Sequence, residues 1–358
     1  HPDPLAASTG LFDGLARKHA SLVRAVRTAE LEARGDYRPT LHDDALARLD
    51  WQGFSLEELA LMPVVAVLVT GAHVRNSDQG SLTTLLRSSR PVQVVVLDEA
   101  GAADEALDLT RFHAGLAYQA MAHREAFVLQ SSLARPVELV DALRRMVGAV
   151  RPAVALLTGP TPSPSEWRGL RAQAALEGRA VPELTYDPDA GASWADRFQV
   201  DANPQPDRPW PCHDVTYVDA AGDPGTMPLE LTWAHAAALE PAYQDHFLVV
   251  PPQAWTQDQI PLASLVGAAE RHGAAWNETI PFIWVVDARG FLQRAMVTRE
   301  LLYACDDRLR AWRILQELGG YNNAFAHRAQ QVAEQAAQAD ADARLGALAA
   351  EHAGALEQ

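Results

Sequence analysis

The stretch from Val64 to Asp98 constrains the fold more than any other part of the chain, because it has the pattern strand, glycine turn, helix, strand. Its two apolar runs, Val64–Val69 and Val92–Leu97, are continuous and rich in valine. Strands of this kind are buried on both faces, as in a parallel sheet covered by helices. The helical face between them carries Leu82, Leu85 and Leu86. The first strand ends at Gly71, in a turn where α/β folds bind phosphates or metals.

The same alternation of strand and helix continues along the chain. Two further strands are predicted at Ala126–Gln130 and Ala153–Leu157. Helices are predicted at Asp78–Arg87, Asp104–Met121, Val137–Val147 and Ser165–Leu176. Repeated units of this kind predict an α/β fold with a mostly parallel sheet and helices on both faces.

Changes in composition divide the chain into four regions. We predict a helical lead-in over residues 1–54, an α/β domain over 55–200, a loop-rich extension over 201–320 and a helical tail over 321–358. The lead-in contains a helix from Gly10 to about Gly35, and the extension contains a strand pair, Phe282–Val286 and Phe291–Val297, before a helix at Leu301–Leu318. The tail has the pattern of a solvated helix or weak coiled coil.

The composition argues against several classes of protein. The formal net charge is −16, and because nucleic-acid-binding surfaces are basic, we expect no nucleic-acid partner. No apolar run approaches the ~20 residues of a membrane span, so we expect no membrane insertion. The 2 cysteines favour a reduced, cytoplasmic setting and are too few for an iron–sulfur cluster, which takes about four. The chain begins at His1 rather than Met, which suggests a piece of a longer protein.

Several separate stretches, in order and at fitting spacing, resemble one enzyme family. They are Ser81–Asp98, His123–Ser132, Arg151–Ser163, Arg171–Pro204, Pro281–Gly290 and Trp312–Gly320. Together they resemble the thiamine-diphosphate-binding domain of pyruvate and other 2-oxoacid:ferredoxin (flavodoxin) oxidoreductases, most of all the C-terminal part of the long fused forms. The resemblance covers roughly Ser55 to Gly320. It implies a thiamine-diphosphate-binding-like fold, with thiamine diphosphate and Mg²⁺ as the family's cofactors and the remaining domains or subunits as partners.

The chain departs from this family at the cofactor site. Members carry a Gly-Asp-Gly motif after the first strand, and its aspartate binds the Mg²⁺ that holds the diphosphate. Aligning Leu82–Asp98 without a gap places Gly71 at that aspartate and Ala72 at the following glycine. The family's Asn-Thr-Gly-Gly segment, which supplies further ligands, has no counterpart in Glu99–Gly115. Because Mg²⁺ is held by carboxylates and phosphates, we expect no cofactor in this chain.

Four residues near the C-terminal edge of the predicted sheet are the candidates for cofactor binding: Gly71, Asn76, Asp78 and Asp98. Asn76, Asp78 and Asp98 offer oxygen atoms that could rebuild a metal site. The structural alternative is that Asp78 caps the helix it opens, Asp98 terminates a strand and Gly71 serves only the turn, and the pattern favours this alternative. We therefore predict no catalytic and no metal-binding residue.

Three other polar groups have ordinary structural interpretations. His123–Glu125 is predicted to be a polar loop entering a strand. Ser131 and Ser132 are predicted to cap the helix that follows, since no nucleophile-elbow pattern surrounds them. Cys212–Asp214 is a lone Cys/His cluster with too few ligands at zinc spacing.

The leading functional hypothesis is a domain of a 2-oxoacid (pyruvate):ferredoxin oxidoreductase-like protein with a degenerate thiamine diphosphate/Mg²⁺ site and a structural or assembly role. The alternative is a catalytically competent thiamine-diphosphate-binding portion of such an enzyme, with altered ligands. A third hypothesis is a pocket for another anionic metabolite at the same strand edge. Whether the chain is an enzyme, and whether it forms a homodimer, stays open at this point.

Overall fold

The four predicted strands lie in one six-stranded sheet in the computed structural model of the chain, which describes residues 3–74, 79–99, 115–159, 167–219, 221–266 and 274–356. The strands are β1 (Val65–Thr70), β2 (Val92–Glu99), β3 (Phe127–Ser132), β4 (Ala153–Gly159), β5 (Leu184–Tyr186) and β6 (Phe198–Gln199). Their order is β1-β2-β4-β3-β5-β6, with β1 to β4 parallel and β5 and β6 antiparallel to their neighbours. The prediction of an α/β fold with a mostly parallel sheet is confirmed.

Helices surround this sheet and connect its strands. They are α1 (Pro4–Ala33), α2 (Pro39–Ala47), α3 (Leu56–Ala60), α4 (Gly71–His73), α5 (Gln79–Arg87), α6 (Gly115–Ala122), α7 (Pro136–Val147), α8 (Arg168–Glu177) and α9 (Trp194–Arg197). The predicted helices are therefore present where the structure describes them. The predicted first residue of α5, Asp78, residues 104–114 of the helix predicted before β3, and residues 165–166 of the helix predicted after β4 lie outside the described residues.

Alternate side chains of the strands enter two separate apolar clusters, because side chains along a strand point to opposite faces. Val128 of β3 and Val154 of β4 face a large cluster that includes buried residues of α1, α5 and α6. Phe127 and Leu129 of β3 face a smaller cluster formed with α7. Helices thus cover both faces of the sheet, as predicted.

The first helix begins earlier than the sequence pattern predicted. Helix α1 starts at Pro4, where the side chain of Asp3 accepts a hydrogen bond from the N–H of Leu5 at 2.9 Å. An aspartate cap followed by proline in the first turn is a favourable helix start, and it precedes the predicted start at Gly10. Leu5 and Phe12 are buried, so this helix contributes to the core of the sheet.

The extension is more regular than the loop-rich segment that we predicted. It contains β7 (Cys212–Val218), β8 (Pro224–Glu230), β9 (Phe247–Val250), β10 (Gln259–Pro261), β11 (Ile280–Val286), β12 (Leu292–Val297), α10 (Trp233–Ala237), α11 (Leu262–Leu265), α12 (Ala274–Glu278) and α13 (Arg299–Leu318). Strands β7 and β8 form an unpredicted antiparallel hairpin, and β9 to β12 form a four-stranded sheet in the order β10-β11-β12-β9. The predicted strand pair is confirmed as β11 and β12, with Gly290 at φ +89° in the turn between them.

A buried arginine joins the extension to the α/β part. The guanidinium of Arg179, which follows α8, lies 3.9 Å from the ring centroid of Trp312 in α13. Its Nη2 donates hydrogen bonds to the backbone oxygens of Gln205 and Arg208, and Trp312 Nε1 donates to the same Arg208 oxygen at 2.9 Å. Burial lowers the pKa of Arg179 to about 9, so the side chain stays charged at neutral pH and keeps its donors.

The tail is helical, as predicted, and forms α14 (Ala324–Leu356). All of its residues from 324 to 349 are exposed, including Leu345 and Leu348, whose exposed fractions are 65% and 57%. Among the helices that the structure describes, none is both long and apolar enough to span a membrane.

Candidate functional site

Two of the four candidate cofactor-binding residues, Gly71 and Asp98, lie near the ends of two neighbouring strands. Strands β1 and β2 pair in parallel with Thr70 opposite Leu97, so the chain leaves both strands at the same edge of the sheet. Gly71 is buried and begins α4, and the hydroxyl of Thr70 accepts a hydrogen bond from the N–H of His73 at 3.2 Å. Gly71, which the resemblance aligns with the family's metal-binding aspartate, is therefore the first residue of a capped helical turn.

Of the other three candidate residues, Asp98 is the one that lies within the described part of the chain. Strand β2 ends at Glu99, one residue beyond Asp98, and Asp98 pairs with Thr158 of β4, so Asp98 lies one residue before the strand end at which the structural alternative placed it. Asn76 and Asp78 lie outside the described residues. The structure thus places Gly71 and Asp98 at the C-terminal ends of adjacent strands.

The Cys/His cluster of the extension lies in a hairpin. Cys212, His213 and Asp214 belong to β7, and His213 Nε2 lies 3.1 Å from Glu177 Oε2 of α8. Over the described ranges, no group of three or more His, Cys, Asp or Glu side chains is arranged to hold a metal ion.

The polar loop before β3 carries an exposed ion-pair network, in which Arg151 contacts Glu125 and Asp189. Residues 123–125 form a turn and bend before β3, so the prediction of a polar loop there is confirmed.

A second polar cluster, which the sequence pattern did not reveal, lies where β3 ends and β5 begins. Ser131 and Ser132 are the last two residues of β3, not the helix caps that we predicted. The backbone N–H of Ser132 donates a hydrogen bond to Oε1 of Glu183 at 3.1 Å. Glu183 directly precedes β5, and because β5 runs antiparallel to β3, the two segments meet at the same edge.

The backbone around Glu183 is fixed by two buried amide side chains. Asn203 Oδ1 accepts a hydrogen bond from the N–H of Glu183 at 2.9 Å, and Asn203 Nδ2 donates to the backbone oxygen of the same residue at 2.7 Å. Gln130 Nε2 donates to the oxygen of Pro182 at 2.9 Å. The backbone that carries this carboxyl is therefore held both by β3 and by the turn segment that follows β6.

Burial raises the pKa of Glu183 to about 7. Hydrogen bonds from Ser131 and Ser132 and the positive charge of Arg135 favour the ionised form and offset part of the rise. A carboxyl of this kind can gain or lose a proton near neutral pH, or bind a cation.

A cavity of about 300 Å³ opens beside this carboxyl, between α7 and strands β5 and β6. Its lining includes Leu129, Glu138, Asp141, Ala142, Arg145, Glu183, Leu184, Thr185, Gln199, Asp201 and Ala202. The sequence contained one signal for it, a glutamate between proline and an apolar strand in Pro182–Tyr186. That signal could not show which side chains would face the glutamate.

No protein-family model matches the chain, and neither does any curated protein. The functional argument therefore depends on the residues and geometry described above.

Proposed function

We propose that the chain is a thiamine-diphosphate-type α/β domain of a 2-oxoacid:ferredoxin oxidoreductase-like protein, with a degenerate cofactor site and a structural or assembly role. The observation that carries this proposal is the adjacency of β1 and β2, whose C-terminal ends lie side by side. The resemblance requires this adjacency, because the family's two groups of metal ligands follow those two strands. The alignment with the family assigns Gly71, which supplies no carboxylate, to the first of these positions.

The proposed loss of the cofactor follows from charge. A diphosphate bridged by Mg²⁺ needs protein oxygens to complete the coordination of the metal. Without the bridge, the anionic diphosphate would meet a protein whose formal net charge is −16. The chemistry of this family depends on its cofactor, so we propose that this chain performs no 2-oxoacid oxidation by itself.

The proposed partners are the remaining domains or subunits of such an assembly, in the cytoplasm. The two cysteines are both free, which is compatible with a reducing compartment. Burial raises the pKa of the Cys305 thiol to about 12, so this thiol stays protonated and behaves as a small apolar group.

Calorimetric titration of the chain with thiamine diphosphate at millimolar Mg²⁺ tests the proposal. We expect a dissociation constant in the millimolar range or no detectable heat, because both groups of metal ligands are missing. Gly71→Asp should improve binding by at least about tenfold, and the uncharged Gly71→Asn should not. A low-micromolar dissociation constant for the unmodified chain would overturn the proposal and favour a competent cofactor-binding portion instead.

A further inference from the structure

Helix α14 exposes apolar side chains along a helix of 33 residues. Every residue from 324 to 349 is exposed. Among them, Phe325 and Val332 have exposed fractions of 76% and 65%. A helix that packs one apolar face against the protein buries that face, and α14 does not. Its apolar residues are therefore free to contact another chain.

These apolar residues share one face over the first three heptads of α14. They recur alternately four and three residues apart, which is the spacing at which two helices pack in a coiled coil. This face, which we call the tail seam, consists of Phe325, Ala329, Val332, Ala336, Ala339 and Ala343. Leu345, whose exposed fraction is also 65%, lies about 140° around the helix from Val332 and is outside the seam.

Two charged residues flank the tail seam and have no charged partner within the described part of the chain. The guanidinium of Arg328 lies 4.7 Å from the ring centroid of Phe325, and its Nε donates to a backbone oxygen of the same helix. Asp342 accepts a hydrogen bond from the neutral amide of Gln338 at 2.9 Å. Each directly precedes an alanine of the seam, so both lie on the same side of it. Both charges remain available for an ion pair with another chain.

An antiparallel pair of tail seams brings size and charge into register. When the two-fold axis passes near residue 334, Phe325 of one copy lies opposite Ala343 of the other, so a large side chain meets a small one. The same register places Arg328 of one copy beside Asp342 of the other. Because the two copies are related by a two-fold axis, this ion pair forms twice.

Other arrangements of two tail seams lack this complementarity. A parallel pair places Arg328 beside Ala333 and Asp342 beside Ala347 of the second copy, so it forms no ion pair at these positions. Shifting the antiparallel register by one heptad in either direction also separates the two charges. Charge therefore selects one orientation and one register.

We propose that the tail seam pairs antiparallel with the tail seam of a second copy, so that the chain forms a dimer through α14. A second copy is the occupant because the seam itself supplies both the large and the small side chain and both charges of the ion pair. With a formal net charge of −16, two copies repel each other elsewhere, so the pairing is weak and local. The inference does not depend on the proposed function, since no residue of α14 belongs to the sheet that carries the candidate cofactor site.

Sedimentation equilibrium of the whole chain at neutral pH and about 150 mM NaCl tests the inference. We expect a reversible monomer–dimer equilibrium with a dissociation constant of about 1–100 µM. Val332→Asp should raise this constant at least about tenfold, because it places a carboxylate inside the seam. Leu345→Asp is the matched control, since it adds the same charge at a position of equal exposure outside the seam, and it should leave the constant within about twofold. Circular dichroism checks that both variants keep their helicity.

Charge reversal tests the register. Arg328→Asp and Asp342→Arg should each raise the dissociation constant at least about threefold, because each converts two opposite-charge pairs into like-charge pairs. Asp342→Arg also makes the chain less acidic, so relief of general repulsion would lower the constant instead. The double variant Arg328→Asp/Asp342→Arg exchanges the two charges and should restore the constant to within about twofold of the unmodified chain.

Three results would each overturn the inference. The first is an unmodified chain that stays monomeric at about 200 µM, well above the expected dissociation constant. The second is an equal effect of Val332→Asp and Leu345→Asp, which would place the association at another surface. The third is a double charge variant that associates no more tightly than the single variants, since the two charges would then not face each other.

Discussion

The burial of Glu183 makes the stability of the fold depend on pH. Its exposed fraction is 4%, and burial is the largest cause of the rise in its pKa from 4.5 to about 7. Between these two values the native state keeps a proton that the unfolded chain has released. The contribution of Glu183 to stability therefore falls as the pH rises from about 4.5 to about 7, by about 3 kcal/mol, and changes little above that range.

We expect the free energy of unfolding of Glu183→Gln to increase, relative to that of the unmodified chain, as the pH rises. Glutamine keeps an oxygen that can accept the Ser132 N–H and never has to be buried as a charge. The difference in the free energy of unfolding between variant and parent should shift by about 2–3 kcal/mol in favour of the variant between pH 5 and pH 8. Urea denaturation at the two pH values measures it.

The matched control is Glu334→Gln in α14, where the carboxylate is exposed. Its effect on the free energy of unfolding should be nearly the same at both pH values. If the two variants showed the same pH dependence, the native carboxyl of Glu183 would not be desolvated as described.

At the scale of elements, helices α1 and α14 are of similar length but differ in what they bury. Phe12 of α1 is 1% exposed and makes an edge-to-face contact with Trp51, with 5.4 Å between ring centroids. Phe325 of α14 is 76% exposed. Replacing phenylalanine by alanine in each helix therefore measures how much that helix contributes to the stability of the folded core.

We expect Phe12→Ala to lower the free energy of unfolding by about 3–5 kcal/mol, because it leaves a cavity against the sheet. Phe325→Ala should change it by less than about 0.5 kcal/mol. Chemical denaturation followed by circular dichroism measures both. A large effect of Phe325→Ala would mean that α14 contributes to the cooperative core.

The main strands could be predicted from the sequence because their apolar runs are continuous and bounded by turn residues. Strands β1 to β4 owe this pattern to burial in a parallel sheet. The β7–β8 hairpin could not be predicted in this way. No residue in either strand is buried, Pro and Gly occupy the start of β8, and the apolar alternation is short, with only Val215 and Tyr217 in β7 and Met227 and Leu229 in β8. The hairpin is held together by the backbone pairing of β7 with β8.

The site at Gly71 could be predicted from the sequence, whereas the site at Glu183 could not. Gly71 could be placed at a strand end because the strand and the turn are adjacent in sequence. The contact between Ser132 and Glu183 spans 51 residues and exists only because β5 pairs antiparallel with β3. The hydrophobic periodicity of a sequence indicates which face of a strand a residue occupies. It does not indicate which other strand will lie beside that strand. The cavity therefore required the three-dimensional structure.

At the scale of the whole molecule, the excess of acidic over basic residues is the dominant long-range feature. The chain has 46 Asp and Glu against 30 Lys and Arg. Several of the described ion pairs are exposed, such as Arg144–Asp141 and Arg344–Asp340, and exposed pairs contribute little to stability. Repulsion among the remaining carboxylates opposes the compact state.

We therefore expect the thermal midpoint to rise by about 2 °C or more between 10 mM and 150 mM NaCl at pH 8. The distance over which charges interact falls from about 30 Å to about 8 Å over this range, so repulsion across the surface is screened while buried contacts such as Arg179 with Trp312 are little affected. KCl should give the same rise as NaCl, because the effect depends on ionic strength and not on the identity of the cation. Differential scanning calorimetry measures the midpoint. A midpoint that fell with added salt would show that attraction between paired charges outweighs repulsion among the excess carboxylates, and that the exposed ion pairs stabilise this fold.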